Sequence, residues 1–153
     1  MKRIEVKLSL EVVAPLLDVV KRIVDGLAGR LAAPNRLEDL DPDLRAAWSG
    51  DLLRNQNEDC RSFLALFDRE FFASGTIGFD EANAESVLRA CAAIRLRLRE
   101  SELRDLPDDA VGGADPDVDE LDEPVRKAFL AYVFLATLQE LIIQHLDSAI
   151  LEG

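Results

Sequence analysis

The arginines between residues 89 and 104 are the side chains of this sequence best suited to binding a ligand. Arg95 and Arg99 are four positions apart, so on a helix they share one face and can hold a phosphate or carboxylate through paired hydrogen bonds. With 30 acidic residues in the chain, we favour the alternative that these arginines form ion pairs within the fold. For Arg95, between Ile94 and Leu96, we expect an internal ion pair. The set comprises Arg89, Arg95, Arg97, Arg99 and Arg104.

The patterns that would support catalysis or metal binding are incomplete. His145 is the single histidine, and no serine elbow or reactive-cysteine signature accompanies it, so we expect a partly exposed structural side chain. The aspartates at alternate positions of 115–119 have the spacing of the first three ligands of a helix–loop–helix calcium site. However, Glu120 replaces the required glycine and Arg126 the required bidentate acid. No phosphate-binding or dinucleotide-binding glycine motif is present. We therefore expect no catalytic set, no metal site and no cofactor.

The negative charge of the chain is concentrated in one segment. The 153 residues carry 18 basic and 30 acidic side chains, a formal net charge of −12. Nine acids and no base lie in 105–123, together with glycines and prolines, so we predict an acidic loop there. The total charge opposes nonspecific binding to nucleic acid or to an anionic membrane. The argument against nucleic-acid or membrane binding is weaker for the rest of the chain, where acidic and basic residues are nearly equal in number.

The length predicts a single domain over 1–153, and the apolar periodicity described below makes that domain helical. Charged residues among the first seven positions oppose a secretory signal. The longest apolar stretch is 128–136, and even when extended to 138 it is far shorter than the roughly 18 residues that span a membrane. Cys60 and Cys91 lie within helical patterns and are typical of buried thiols in a reducing compartment. We therefore predict a cytoplasmic protein that does not act at a membrane.

The spacing of apolar residues predicts a mainly α fold. Residues 4–10 alternate between apolar and polar side chains, and 76–79 is the other strand-like segment, so we predict a small N-terminal β-ribbon. The remaining patterns predict a single-domain bundle of about four long helices plus one short helix. The predicted helices are 11–29, 41–50 (the short one), 51–72, 80–104 and 123–151. Gly75, Asp41 with Pro42, Asp51 and Asp80 are the predicted stop and start signals.

The last predicted helix is apolar nearly all round. Few positions between residues 128 and 143 are polar, so this helix is either central to the bundle or shared with a second chain. We favour the central position. In the alternative, the interface residues are Phe129, Tyr132, Leu135, Ile142 and Ile143.

Two helical segments resemble a known bacterial family. One is Leu88-Arg89-Ala90 followed by Ile94-Arg95-Leu96-Arg97-Leu98, and the other is the leucine-rich stretch 132–141. With the N-terminal strand and the helix after it, they resemble the family called domain of unknown function number two thousand and seventeen. Members carry Asn-Asp where this chain has Ala92-Ala93.

The resemblance implies a helical fold and singles out Arg95 and Gln139. It carries no catalytic residues. In actinobacterial relatives the gene often lies near that of an adaptor of the Clp protease, which implies a role in regulation or proteolysis.

Together these observations predict a non-enzymatic regulatory or protein-interaction module that acts through a protein partner or through its own dimer. The alternative is a protein that binds a small anion or metabolite between helices, with Arg95, Arg99 and Gln139 as the binding residues. An enzyme that uses carboxylates alone is the third hypothesis.

Overall fold

The alternating residues near the N-terminus form one strand of a two-stranded ribbon. In the computed structural model, which describes residues 3–32, 41–106 and 121–152 (side chains to 145), β1 (Arg3–Lys7) pairs antiparallel with β2 (Thr76–Asp80). Ile4 lies opposite Phe79 and Val6 opposite Ile77, which places the apolar side chains of both strands on the face that packs on the helices. The predicted ribbon is therefore confirmed.

Helices account for most of the remaining described chain. They are α1 (Leu10–Leu27), α2 (Pro42–Leu64), α3 (Arg69–Ser74), α4 (Ala84–Glu100) and α5 (Glu123–Glu152). Four are long and one is short, so the mainly α prediction is confirmed.

The short helix does not lie where the sequence predicts it. Helix α2 continues through Gly50 and Asp51 to Leu64, and the short helix is α3, which follows a tight turn. The start signal at Asp41 is correct, since its side chain accepts a hydrogen bond from the N–H of Asp43 at 2.9 Å. The residue that caps a new helix is Asp68 rather than Asp51, because its carboxylate accepts from the N–H of Phe71 at 3.1 Å.

Gly75 ends α3 for a steric reason. Its φ of 76° lies in the left-handed region, and its N–H donates to the carbonyl of Phe71 at 2.6 Å. A Cβ at this position would lie 2.7 Å from the carbonyl oxygen of Leu8.

Helix α4 starts at Ala84, later than the predicted start at Asp80. The carboxylate of Asp80 accepts from the N–H groups of Ala82 and Asn83, so Asp80 stabilises a turn before the helix.

Helix α5 contributes one face to the described core, and its other face carries the exposed apolar side chains Leu130, Val133 and Ile143, so the central position that the sequence favours is met by one face alone. It packs against α1 and α4, while α4 also packs against α2. The buried residues of α5 recur at helical spacing: Ala128, Phe129, Ala131, Leu135, Leu138 and Ile142. By length and composition alone, the segment Glu123–His145 is suited to a membrane span, but in this fold its buried side chains contact the other helices.

Most of the predicted acidic loop lies outside the described residues. Of 105–123, the structure describes 105, 106 and 121–123, and the aspartates of 115–119 fall outside them. The predicted acidic loop, and the expectation that the aspartates of 115–119 form no calcium site, therefore stay predictions.

Candidate functional site

Arg95 of α4 and Gln139 of α5 meet where the two helices pack. Arg95 Nη1 donates to Gln139 Oε1 at 2.7 Å, and Nη2 donates to Tyr132 Oη at 3.0 Å. The tyrosine ring also lies beside the guanidinium, with 4.5 Å between Cζ and the ring centroid. Gln139 Nε2 in turn donates to the carbonyl of Leu88 at 3.2 Å. The two positions that the resemblance singled out are thus in direct contact.

The partners of Arg95 are neutral, which corrects the ion pair expected for it. Within the described ranges no carboxylate pairs with Arg95, and its Nε is buried without a hydrogen-bond partner. A shallow concavity of about 380 Å³ lies beside it. The concavity is lined by Arg95, Ala136, Gln139, Glu140 and Ile143.

Arg99 takes a different role from Arg95. Its Nη1 donates to the carbonyl of Leu103 at 2.5 Å, in the turn after α4, and it does not line the concavity beside Arg95. Of the predicted anion-binding set, the structure therefore brings together Arg95 and Gln139 but not Arg99.

The predicted interface residues of α5 are mostly inside the fold. Phe129, Leu135 and Ile142 are buried in the core of the single chain, and Tyr132 is half-buried against Arg95. Ile143 is exposed. In this fold the three buried residues are covered by the chain itself, so they do not offer a surface to a second chain.

A larger groove, which the sequence did not predict, lies between α2 and α4 and has a volume of about 750 Å³. We call it the α2–α4 groove. It takes apolar side chains from both helices and from the segment after α1. They are Leu31, Ala32, Leu52, Ala92, Ala93 and Leu96. Its polar lining is Asn55, Gln56, Glu58, Asp59, Ser62, Ser86 and Arg89.

A bidentate ion pair joins the two walls of the groove. Arg89 Nε donates to Asp59 Oδ2 at 2.9 Å and Nη2 donates to Asp59 Oδ1 at 3.1 Å, while Nη1 donates to Glu85 Oε1 at 2.7 Å. Asp59 is only 7% exposed. Its hydrogen bond to Arg89 is the main cause that raises the arginine's pKa, with burial acting in the opposite direction. This pair holds α2 and α4 together at the groove.

Gln56 fixes the third side of the groove. Its Nε2 donates to the carbonyls of Leu27 and Arg30, each at 3.0 Å, and its Oε1 accepts from the N–H of Ala32 at 3.0 Å. The amide thereby satisfies backbone groups at the end of α1 and pins the following segment to α2.

The groove continues into an exposed apolar stripe on the first half of α2. Leu44, Trp48 and Leu52 are spaced four residues apart and share a helix face with Asn55 and Asp59. Their exposed fractions are 53%, 57% and 41%, and α2 has no buried residue before Asp59. Trp48 is the single tryptophan of the chain. The first half of α2 therefore carries an apolar face that no described residue covers.

The two cysteines lie behind the groove and are poor nucleophiles. Burial raises the pKa of Cys60 to about 11, with a further contribution from the Asp59 carboxylate, and raises that of Cys91 to about 12. Both thiols are unpaired and buried, as the sequence predicts, and both stay protonated near neutral pH.

Within the described ranges, no three His, Cys, Asp or Glu side chains converge as metal ligands. His145, for which the sequence predicts a partly exposed side chain, is exposed.

No protein-family model, no curated protein and no solved structure matches this chain. The family resemblance therefore stays a prediction that rests on the two helical motifs.

The sequence contains one signal of the exposed stripe beside the groove. Leu44, Trp48 and Leu52 have the spacing of an apolar face, and Asp59 interrupts the same face two turns later. The helix boundary that the sequence predicts at Gly50 places Leu44 and Trp48 on a different helix from Leu52, whereas the continuous α2 places all three on one face.

Proposed function

We propose that this chain is a non-enzymatic protein-interaction module that binds a partner protein through the α2–α4 groove and the apolar stripe of α2. The observation that carries the proposal is the exposure of Leu44, Trp48 and Leu52 on one helix face next to a groove of about 750 Å³. Exposed apolar side chains that line up beside a groove are typical of a surface that a partner covers. Aromatic anchors such as Trp48 are enriched in such surfaces.

The chemistry of the groove supports binding rather than catalysis. Its buried carboxylate, Asp59, is held in a bidentate ion pair, and the thiols behind it are protonated. The cytoplasmic location predicted from the sequence belongs to the same proposal, as does the role in regulated proteolysis that the family resemblance implies. The partner is then another protein, or a second copy of this chain as the alternative.

Site-specific photo-crosslinking in the native cells tests this proposal. A photoreactive phenylalanine analogue is placed at position 48 in the full chain and, as the matched control, at position 46, which is exposed on the opposite face of α2. We expect a crosslinked partner from position 48 and none of that product from position 46. Crosslinked dimers of the chain itself would identify self-association. Identical products from both positions, or none from position 48, would contradict the proposal.

A second candidate function is the binding of a small anion beside Arg95. The observation that favours it is a half-buried guanidinium whose partners are neutral and whose Nε is buried without a hydrogen-bond partner. A charge that is partly removed from water usually has a counter-charge, which a carboxylate or phosphate in the adjoining concavity would supply. Glu140 at the edge of the concavity opposes a strongly charged anion, so a singly charged ligand is favoured.

Thermal unfolding in the presence of acetate or inorganic phosphate tests the second candidate. We expect the anion to raise the Tm of the unmodified chain and of the exposed control variant Arg104→Gln, but not that of Arg95→Gln. Each variant is compared with its own anion-free Tm, so any loss of stability from the substitution cancels. An equal rise in all three proteins would show that the anion acts elsewhere.

A further inference from the structure

Two side chains of opposite charge line the concavity beside Arg95. Arg95 itself belongs to α4, and Glu140 belongs to α5. They make no ion pair with each other, and neither makes an ion pair with any other residue that the structure describes. Glu140 is exposed and accepts one hydrogen bond, from Gln144 Nε2 at 3.2 Å. The concavity therefore has both a positive and a negative charge that no described carboxylate or base neutralises.

The hydrogen bonds of Arg95 leave donors for a ligand. A guanidinium has five N–H groups, of which Gln139 and Tyr132 each accept one, from different terminal nitrogens. Since Nε is buried, a ligand in the concavity would meet the remaining N–H groups of these terminal nitrogens. A carboxylate can accept from two such groups at once, so it is the group that best matches this end of the concavity.

The rest of the lining is small and mostly apolar. Ala136 and Ile143 come from α5, and Ile143 is 50% exposed. The side-chain amide of Gln139 is already bonded to Arg95 and to a backbone carbonyl of α4. The volume of about 380 Å³ is near the lower end of the range for ligand pockets. The concavity therefore suits a small ligand that carries an apolar group beside its charges.

A simple anion would satisfy only part of this arrangement. It would be attracted by Arg95 but repelled by Glu140, whose own charge would stay without a partner. An α-amino acid carries a carboxylate and an ammonium group on the same carbon, so it can contact both side chains together. A peptide carries these two groups at opposite ends, so the paired charges favour a free amino acid over a chain terminus.

We infer that the concavity beside Arg95 binds a free α-amino acid with an apolar side chain. Its carboxylate contacts Arg95, its ammonium group contacts Glu140, and its side chain packs on Ile143. This inference rests on the second candidate function, because it names the class of ligand for the same concavity, and it is independent of the α2–α4 groove.

Nuclear magnetic resonance of Tyr132 tests the inference, since it is the single tyrosine of the chain and its hydroxyl accepts a hydrogen bond from Arg95. The full chain, with carbon-13 in the tyrosine ring, is titrated near neutral pH with three matched compounds. They are leucine, isocaproate, which lacks the ammonium group, and leucinamide, which lacks the carboxylate. We expect leucine to shift the Tyr132 signals saturably, and each of the others to bind about tenfold more weakly.

Two pairs of variants assign the contacts. Glu140→Gln should make leucine and isocaproate bind with similar affinity, whereas Glu100→Gln, an exposed control outside the concavity, should keep the preference for leucine. Arg95→Gln should lose the saturable shift with leucine, and the exposed control Arg104→Gln should keep it. Helical circular dichroism of each variant shows whether it is folded. Because Glu140 is exposed, its variant tests the inference even if Arg95→Gln does not fold.

The results separate the inference from the function on which it rests. Equal affinities for leucine and isocaproate in the unmodified chain would overturn the amino-acid ligand and leave Arg95 as a site for simple anions. A preference for leucine that survives in Glu140→Gln would also overturn it, because the ammonium group would then bind elsewhere. If leucine causes no saturable shift, the inference is wrong, and the Tm measurement with acetate decides the second candidate function by itself.

Discussion

At the residue scale, two arginines of α4 have opposite environments. Arg89 makes a bidentate ion pair with Asp59, whereas Arg95 donates to the neutral side chains of Gln139 and Tyr132. The difference arises because Arg89 faces α2 and Arg95 faces α5. Sequence spacing places both arginines on one helix, but the identity of the opposing side chain depends on which helix packs on which face.

Removing the charge of Asp59 should destabilise the chain. In Asp59→Asn the amide cannot accept both Arg89 donors as a carboxylate does, so we expect a loss of about 1–3 kcal/mol in the free energy of unfolding. The partly exposed position of Arg89 limits the cost, because water solvates the unpaired guanidinium. Urea unfolding measures it. Glu85→Gln, which removes the exposed partner of the same arginine, should cost less than about 1 kcal/mol. If both substitutions lower the free energy of unfolding by the same amount, the Asp59–Arg89 pair stabilises the fold no more than the exposed Glu85–Arg89 pair does.

The buried thiols should make the stability of the chain fall at alkaline pH. Unfolded cysteines ionise near 9.0, whereas folded Cys60 ionises near 11 and folded Cys91 near 12. The folded state therefore keeps protons that the unfolded state releases, and this contribution is complete below about pH 9 and is lost as the pH rises through the folded values. The expected slope is about 1.4 kcal/mol per pH unit for each thiol within that window.

Urea unfolding across the alkaline range checks this slope against a Cys60→Ala, Cys91→Ala double variant. Titration of tyrosine and lysine affects both proteins alike, so the difference between them reports the thiols. If the double variant loses stability as steeply as the unmodified chain, the thiols are not protected from ionisation.

At the element scale, α2 is continuous at Gly50, where the sequence predicts a boundary between two helices. Gly50 lies inside a continuous helix, although a glycine beside a capping aspartate is typical of a helix boundary. Glycine in a helix interior costs only about 1 kcal/mol relative to alanine, and the capped start at Asp41 and the buried end at Phe63 hold the helix across it. Gly75, in contrast, ends α3 because its φ of 76° is outside the helical region.

Alanine at these two glycines should have opposite effects. A Cβ at position 50 meets nothing within 4 Å, so Gly50→Ala should stabilise the chain by about 0.5–1 kcal/mol. A Cβ at position 75 would lie 2.7 Å from the carbonyl oxygen of Leu8, so Gly75→Ala should destabilise it by more than about 1 kcal/mol. Thermal unfolding should therefore show a higher Tm for the first variant and a lower Tm for the second. A lower Tm for Gly50→Ala would indicate that α2 is not continuous there.

At the scale of the whole molecule, the described helices share one core, to which α5 contributes one face. Its buried face contacts α1 and α4, and α4 contacts α2, so the helices of the described chain share one set of apolar contacts. The all-round apolar character of α5 comes from two sources, a buried face and exposed residues such as Leu130 and Val133. Composition does not separate these faces, which is why the same helix also has the length and hydropathy of a membrane span.

Two truncations on α5 distinguish its faces. Leu135→Ala removes a fully buried side chain and should cost about 2–5 kcal/mol of unfolding free energy, with cooperative unfolding retained. Val133→Ala removes an exposed side chain and should change the stability by about 0.5 kcal/mol or less. Urea unfolding of both variants measures the contrast. Similar costs would mean that α5 is covered on both faces, as in a dimer.

The sequence by itself determined the mainly α class, the ribbon of 4–10 with 76–79, the stop at Gly75 and the burial of both thiols. These follow from local periodicity and from the conformational preferences of single residues, which act over a few positions of the chain. The tertiary structure alone decided that Asp59 meets Arg89, that Arg95 has neutral partners, and that Leu44, Trp48 and Leu52 are exposed beside a groove. Such contacts join residues 30 or more positions apart, and they depend on which helix faces pack together, a choice that many weak contacts make jointly.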